Sequence, residues 1–372
     1  MSHCDFAIIG GGLVGSAIAY GLASQGHQVT VLDEGDLAFR ASRGNFGLVW
    51  VQGKGLEIPR YSEWSMSSAA LWSNLADELH ELTDTNVQHH SPGGVHLCYS
   101  LEDIQRRAAD LATLSQATNR KFSFSMLDHE QLKELIPGIG ESVVGASWSR
   151  WDGHVNPLYL LSALHKGIHR YGGKYWPGGR VHRITKSDES FTIERNNDRL
   201  HADRVILAAG LGNSQLAPQV GLSAPLVPNR GEILVSERIR PLLNLPTTYI
   251  RQTGDGSILM GDSHEDVGFD DGTATEVLTS IAQRSVQAIP ALANTRVVRT
   301  WGALRVMTPD GYPLYQESES HPGAFVACCH SGVTLAAVHA KRLAPWIAGG
   351  KLPTEIVPFT AERFDVHTVT PS

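Results

Sequence analysis

The chain has 372 residues, which suggests about two domains, and with 42% hydrophobic and 19% charged residues it is too apolar to be disordered. Lys and Arg number 31 against 38 Asp and Glu, a formal net charge of −7, so no global basic field invites nucleic acid. Four cysteines, at positions 4, 98, 328 and 329, are too few for a disulfide scaffold and fit a reducing, cytoplasmic compartment, and no run of about 18 apolar residues reads as a membrane span.

Residues 5 to 10, DFAIIG, form a short apolar run ending in glycine, the pattern of a buried parallel strand. The apolar stretch from 5 to 23 lacks a basic leader and carries five glycines, so it is not read as a signal peptide. A Gly-rich turn and a helix rich in small residues follow, then a second buried strand, QVTVLD, over 28 to 33. The first 33 residues thus read as one βαβ unit. Helical spacing recurs at 60 to 82, 102 to 117 and 157 to 171, and strand character at 180 to 185, 191 to 195 and 204 to 210. Residues 230 to 262 read as antiparallel sheet with a hairpin turn at 253 to 257, where an Asp-Gly pair sits. FVACCH, 325 to 330, is a last buried strand, and the helix after it is closed by two glycines. No internal repeat or flexible linker is visible. Antiparallel material inserted between pieces of an α/β unit predicts interleaved domains: 1–85, 145–215 and 300–372 in a dinucleotide-binding domain, with 86–144 and 216–299 in an antiparallel-sheet substrate domain.

Gly10, Gly11, Gly12, Leu13, Val14 and Gly15 match the dinucleotide fingerprint. The first glycine permits a tight turn, the second lets backbone approach a pyrophosphate, and the third lets helix pack on strand. Asp33 ends the second strand, where a carboxylate takes a ribose hydroxyl, and the adjacent Glu34 is its rival. An acid here repels a 2′-phosphate and disfavours NADP. The motif alone does not separate NAD from FAD.

The order of GGGLVG, Asp33, ASRGNFG (41–47), DGHVNP (152–157), VILAAG, RGE (230–232), GALRVMTPDGYP (302–313) and CHSGVTLA (329–336) resembles the D-amino-acid oxidase (DAO) family of FAD-dependent oxidoreductases. The segment RASRGNFGLVWVQGKG is similar to that of catalytic β subunits of hydroxyproline and opine (octopine, nopaline) dehydrogenase complexes. The resemblance implies a Rossmann-type FAD-binding domain interleaved with an antiparallel-sheet substrate domain. It puts the FAD pyrophosphate over Gly10, Gly12, Leu13, Val14 and Gly15, with Asp33 on the ribose. Ser42, Arg43, Gly44, Asn45, Gly47 and Leu48 would line the passage to the flavin, Val181 would touch adenine through its backbone, and Ala209 and Gly210 would lie along the cofactor. Gly302 and the turn of His330, Ser331, Gly332, Val333 and Thr334 would face the isoalloxazine.

Monomeric sarcosine oxidase links its flavin through a cysteine at the position of Ala303, so the FAD is expected to be non-covalent. For substrate, the resemblance assigns Arg305 to the carboxylate, whose two oxygens a guanidinium fork matches, assisted by Tyr249 and a site-facing His330. Trp50, Gln52 and Lys54 fall on the substrate-side loop. Lys54 and Arg251 are weighed as further anion contacts, the solvated reading being preferred for each. Cys328, Cys329 and His330 read as core thiols beside a flavin-facing histidine rather than a metal site, because successive strand residues face opposite ways. His89, His90 and His96 read as polar loop.

The expected activity is oxidation of the C–N bond of a secondary or N-substituted amino acid, of D-hydroxyproline or opine type, with electrons passed to partner subunits carrying further FAD, FMN or an iron–sulfur cluster. This chain lacks the suitably spaced cysteines to ligate such a cluster. Alternatives are an oxygen-using sarcosine, glycine or D-amino-acid oxidase, a nicotinamide-dependent dehydrogenase, and a non-catalytic FAD-holding subunit.

Overall fold

The computed structural model describes residues 2–35, 41–187, 189–350 and 352–364. Strand β1 (Ser2–Ile9), helix α1 (Leu13–Ala23) and strand β2 (Val29–Leu32) form the expected βαβ unit, with β1 and β2 parallel. Because strand residues alternate faces, Ile8 enters one core cluster while Ala7 and Ile9 enter another. Both faces are covered, so the run is apolar throughout.

β1 lies centrally in an eight-stranded sheet. β2 and Lys174–Trp176 extend one side of it, and Asp198–Leu207, Ala324–Cys328 and Leu314–Glu317 extend the other. All pairs along this path are parallel except the last, and Val181–Lys186 and Phe191–Arg195 fold back on Asp198–Leu207 as an antiparallel meander. The chain winds outward from β1 through β2, then returns to the opposite side. The gap between the carboxyl ends of β1 and Asp198–Leu207 is therefore the topological switch point, where doubly wound sheets bind ligands.

Helices Pro59–Thr83 and Pro157–Arg170 match the expected spans and cover one face together with α1. Asn156 starts the second of them: its Oδ1 accepts from the Leu158 and Tyr159 N–H groups, and Pro157 stands at the first helical position. The last helix is not the single α-helix that its sequence suggests. Ala336–Val338 and Ala344–Ala348 are joined by a wider π turn over His339–Leu343. Pro345 has no N–H to give to the carbonyl of Lys341, so the regular ladder is interrupted there.

The second large sheet is antiparallel, in the order Ile250–Gln252, Ser257–Met260, Val227–Arg238, Val297–Met307. Its hairpin turn is where it is expected: Thr253 N–H donates to Ser257 O at 2.8 Å, and Gly256 takes φ +93°. Helix Thr275–Ala288, which the sequence patterns above do not predict, packs Ile281 and Ala288 against this sheet's core. A second unforeseen helix, His129–Leu135, is opened by a reciprocal cap between Asp128 and Gln131. Hydrogen-bonded ladders cross two expected domain boundaries. Gly145–Ser149 pairs with Gly94–Cys98 and Ser125–Asp128, and Val297–Met307 runs along Val227–Arg238. Among the described residues no helix is long and apolar enough to cross a membrane.

Candidate functional site: a dinucleotide cradle and a cationic turn

At the switch point the three motif glycines leave no room for side chains. Gly10 has φ +109°, and a Cβ there would strike the Ala208 carbonyl. One on Gly15 would strike the carbonyl of Gly10, and one on Gly12 would lie 2.7 Å from Ser42 Oγ. Gly12 offers no side chain to cap α1, and Leu13 N–H donates to Ser42 Oγ at 2.9 Å. Asp33 is drawn into the same turn, its carboxylate accepting from Gly11 N–H at 2.7 Å and Gly35 N–H at 2.9 Å. Glu34, its rival, turns toward Arg180 at 3.8 Å. Across the switch point Ala208 N–H donates to Ile9 O, Ala209 N–H donates to Asn213 Oδ1, and Gly210 has φ +57°. Val181 is buried in the cluster that holds Leu32.

The turn after Ala324–Cys328 meets this cradle directly: a Cβ on Gly332 would touch the side chains of Leu13 and Val14 at 3.6 Å. The surrounding hydroxyls are tightly bonded. Thr334 Oγ1 accepts from Trp50 N–H at 3.1 Å and donates to Leu48 O at 3.3 Å. Lys54 Nζ donates to Ser331 Oγ at 2.7 Å and to Thr334 Oγ1 at 3.2 Å, and Tyr61 O–H donates to Ser331 Oγ at 2.7 Å. Lys54 is therefore not the solvated lysine expected. It is half-buried, and burial pushes its pKa down to about 7. Val333 is buried beside them. Burial and the cations of Lys54 and Arg305 push the His330 pKa down to about 3, so this imidazole is neutral.

The loop leading to Lys54 is held by Asp152, whose motif is visible in the sequence although its task is not. This buried carboxylate accepts from Val51 N–H at 2.5 Å, Gln52 N–H at 3.3 Å and Gln52 Nε2–H at 2.7 Å. Gln52 Oε1 in turn accepts from Arg107 at 3.0 Å and Ser147 at 2.6 Å. Further upstream, Asn45 Oδ1 accepts from Gly47 N–H at 2.7 Å, while Arg43 is exposed.

On the antiparallel sheet, Trp301, Ala303 and Arg305 alternate onto one strand face. Trp301 Nε1–H donates to Gly44 O at 3.1 Å, and a Cβ on Gly44 would collide with Ala303, so this face meets the 41–47 loop. Arg305 is fully engaged within the protein. Its guanidinium reaches Asp262 Oδ1 at 2.5 Å, Ser263 O at 2.7 Å and Asn229 Oδ1 at 3.0 Å. Gly302 lies on the other strand face, where a Cβ would strike the Gly272 carbonyl. The Tyr249 hydroxyl pairs with that of Tyr99, and Arg284 stacks 4.3 Å from the Tyr249 ring centroid. Arg251 is buried at 3% exposure, donating through Nε to Phe46 O, and burial lowers its pKa to about 10. The solvated reading fails for it too.

The DAO model for FAD-dependent oxidoreductases matches residues 5–346. The chain belongs to the FAD-dependent oxidoreductase (DAO) family. It is 42% identical over 368 residues to a protein from Rhizobium meliloti named as an opine oxidase subunit, covering 99% of both chains. It is 42% identical over 365 residues to a protein of the same name from Agrobacterium tumefaciens (strain Ach5), covering 98% of both. Its fold superposes on the crystal structure of glycine oxidase from Geobacillus kaustophilus with a TM-score of 0.89, at 24% identity and covering 97% of this chain and 98% of that one.

The residues fit the family's cofactor. Three glycines form a cradle that any Cβ would fill, a helix without a side-chain cap points its amino end into it, and Asp33 stands beside it. FAD, when bound, supplies a two-electron acceptor. The protein's own contributions would be orientation and charge, from the 330–334 turn, Lys54 and Arg305. Of the expected site residues, the structure gathers the glycines, Asp33, Ser42, Ala209, Gly210 and the 330–334 turn at the carboxyl ends of the central strands. Tyr61, Asp152 and Asp262 are the residues that sequence reasoning missed.

Proposed function

We propose that this chain is the FAD-binding dehydrogenase subunit of a complex that oxidises the C–N bond of an N-substituted amino acid of the opine type. The cofactor is held non-covalently. The substrate carboxylate takes the Arg305 guanidinium, which places the α C–H for hydride transfer to flavin N5. The amine nitrogen releases a proton, the product is an imine that water hydrolyses, and the two electrons leave through a partner subunit. One observation carries this reading: Arg305 shares the strand face of Trp301 and Ala303, which meets the 41–47 loop, and its guanidinium already holds a carboxylate, that of Asp262, at 2.5 Å. An anionic substrate is what such an arrangement favours. Full-length similarity to proteins named as opine oxidase subunits supports the opine class and a multi-subunit setting.

The test is an anaerobic absorbance spectrum of the purified chain, titrated with octopine, nopaline, D-hydroxyproline, D-proline, sarcosine and glycine, then opened to air. Bleaching by octopine or nopaline, with colour returning slowly in air, is the expected result. Rapid return in air would make the chain an oxidase. A flavin that none of these amino acids reduces would overturn the substrate assignment and leave the cofactor in place.

A further inference from the structure

We propose that Lys54 tunes the flavin electrostatically: its ammonium, tied to the hydroxyls of Ser331 and Thr334, stabilises negative charge gained by a cofactor lying over the 330–334 turn. The inference rests on the reading that FAD occupies the cradle.

The turn carries its charge in one place. Ser331 Oγ accepts from both Lys54 Nζ–H and Tyr61 O–H, so its own hydrogen is left for His330 Nε2, 3.2 Å away. His330 then keeps its proton on Nδ1 and is neutral, in keeping with the low pKa that burial and the neighbouring cations impose. The positive charge beside Gly332 therefore belongs to Lys54 and not to the histidine. Gly332 in turn touches Leu13 and Val14 at the amino end of α1, which joins the turn to the cradle.

That charge is not neutralised by the protein. Among the described residues, Lys54 Nζ contacts two hydroxyls and the face of the Tyr61 ring, 5.4 Å from its centroid, and no carboxylate lies within ion-pair distance. Asp152 is the acid that acts on it, but the Asp152 oxygens already accept from Val51 and Gln52. Holding a half-buried ammonium without a counter-ion is unfavourable, and a structural role would be served as well by a neutral side chain on these hydroxyls. A ligand that becomes more negative during reaction is the partner that such a charge suits. At an effective dielectric constant of about 20, one cation several ångströms away changes an equilibrium constant by about tenfold or more.

Sulfite tests this without substrate. It adds through sulfur to N5 of oxidised flavin and leaves negative charge on the ring, and adduct formation is read as loss of the visible flavin band. The full chain loaded with FAD is compared with Lys54→Met, Lys54→Gln and Lys54→Arg. Both neutral variants are expected to bind sulfite about tenfold or more weakly and to show a lower two-electron reduction potential in dye equilibration, while Lys54→Arg stays close to the parent. Neutral variants that match the parent in sulfite affinity and potential would overturn the role of Lys54 while leaving FAD in its cradle. So would loss of FAD from all three variants alike, which would make Lys54 a packing residue. A parent chain that binds no FAD would instead overturn the cofactor placement on which the inference rests.

Discussion

The guanidinium of Arg305 lies 2.5 Å from Asp262 Oδ1, so the residue assigned to the substrate carboxylate holds a carboxylate of the protein. On that assignment, a substrate would have to take the guanidinium over from Asp262. Arg305→Ala is expected to retain FAD and to lose about 2–5 kcal/mol in kcat/KM, the cost of truncating one member of a buried charge pair. Asp262→Asn removes the competing charge and is expected to lower KM for the same substrate. Steady-state kinetics of both variants decide the matter, and an Arg305→Ala enzyme with parental kcat/KM would remove Arg305 from the site.

Gly12 is more replaceable than Gly10, which has φ +109° and faces the Ala208 backbone, and more replaceable than Gly15. A Cβ on Gly15 meets backbone, the Gly10 carbonyl, with Ile8 and Ala208 side chains behind it at 3.1 Å, and none of these is the movable end of a side chain. Gly12→Ala meets only the Ser42 hydroxyl, which can rotate. Gly15→Ala is therefore expected to lose about 1–3 kcal/mol of stability together with its flavin. Gly12→Ala keeps its fold and weakens FAD binding more than stability. Melting temperature and the ratio of flavin to protein absorbance separate the two.

What is legible in the sequence is what is local. The glycine spacing, the strands around it and the acid at position 33 lie within one βαβ unit, and a turn that excludes side chains writes its requirement directly as glycine. Asn156 and Pro157 sit in a motif whose helix-starting role is equally local. Asp152 belongs to the same motif, yet its partners Val51 and Gln52 are about a hundred residues away, and Asp262 is 43 residues from Arg305. Pairings of that kind leave no periodic trace. Lys54 and Arg251 read as solvated because exposure is the ordinary fate of a cation, and only the fold brings a turn or a loop over each of them. Helix Thr275–Ala288 does leave a trace, in the spacing of Val277, Leu278 and Ile281.

Asp152 and Lys54 give stability opposite slopes with pH. Burial pushes the Asp152 pKa up from 3.8 to about 7, so between these values the folded chain holds a proton that the unfolded chain has released, and stability falls as pH rises. Burial pushes Lys54 down from 10.5 to about 7, so over that interval the unfolded chain holds the extra proton and stability rises with pH. The FAD-free chain is expected to show a dip in unfolding free energy near pH 7. Asp152→Asn flattens the acid limb and Lys54→Met the alkaline limb. Urea titrations from about pH 5 to about pH 10 check both, and a parental acid limb retained in Asp152→Asn would assign that slope to another group.

Arg251 is a buried guanidinium that packs against the Phe46 ring, 5.7 Å from its centroid, and donates to the Phe46 carbonyl from the next sheet. Its other neighbour is Gly47, held at φ +91° and bonded through its carbonyl to Val155 N–H. Arg251 thus pins the end of the 41–47 loop whose other end, Ser42, meets α1 at the cradle. Removing a charged hydrogen-bond donor costs about 1.5–3 kcal/mol. Part of that cost falls on the loop geometry that FAD needs. Arg251→Met is expected to weaken FAD retention by about tenfold, read from flavin released on dilution and gel filtration. Arg251→Lys can restore the charge but not the fork geometry that reaches the carbonyl while lying on the ring, so it is expected to recover only part of the loss. Full recovery in the Arg251→Lys variant would show that charge, and not the anchoring of the loop, is what this position supplies.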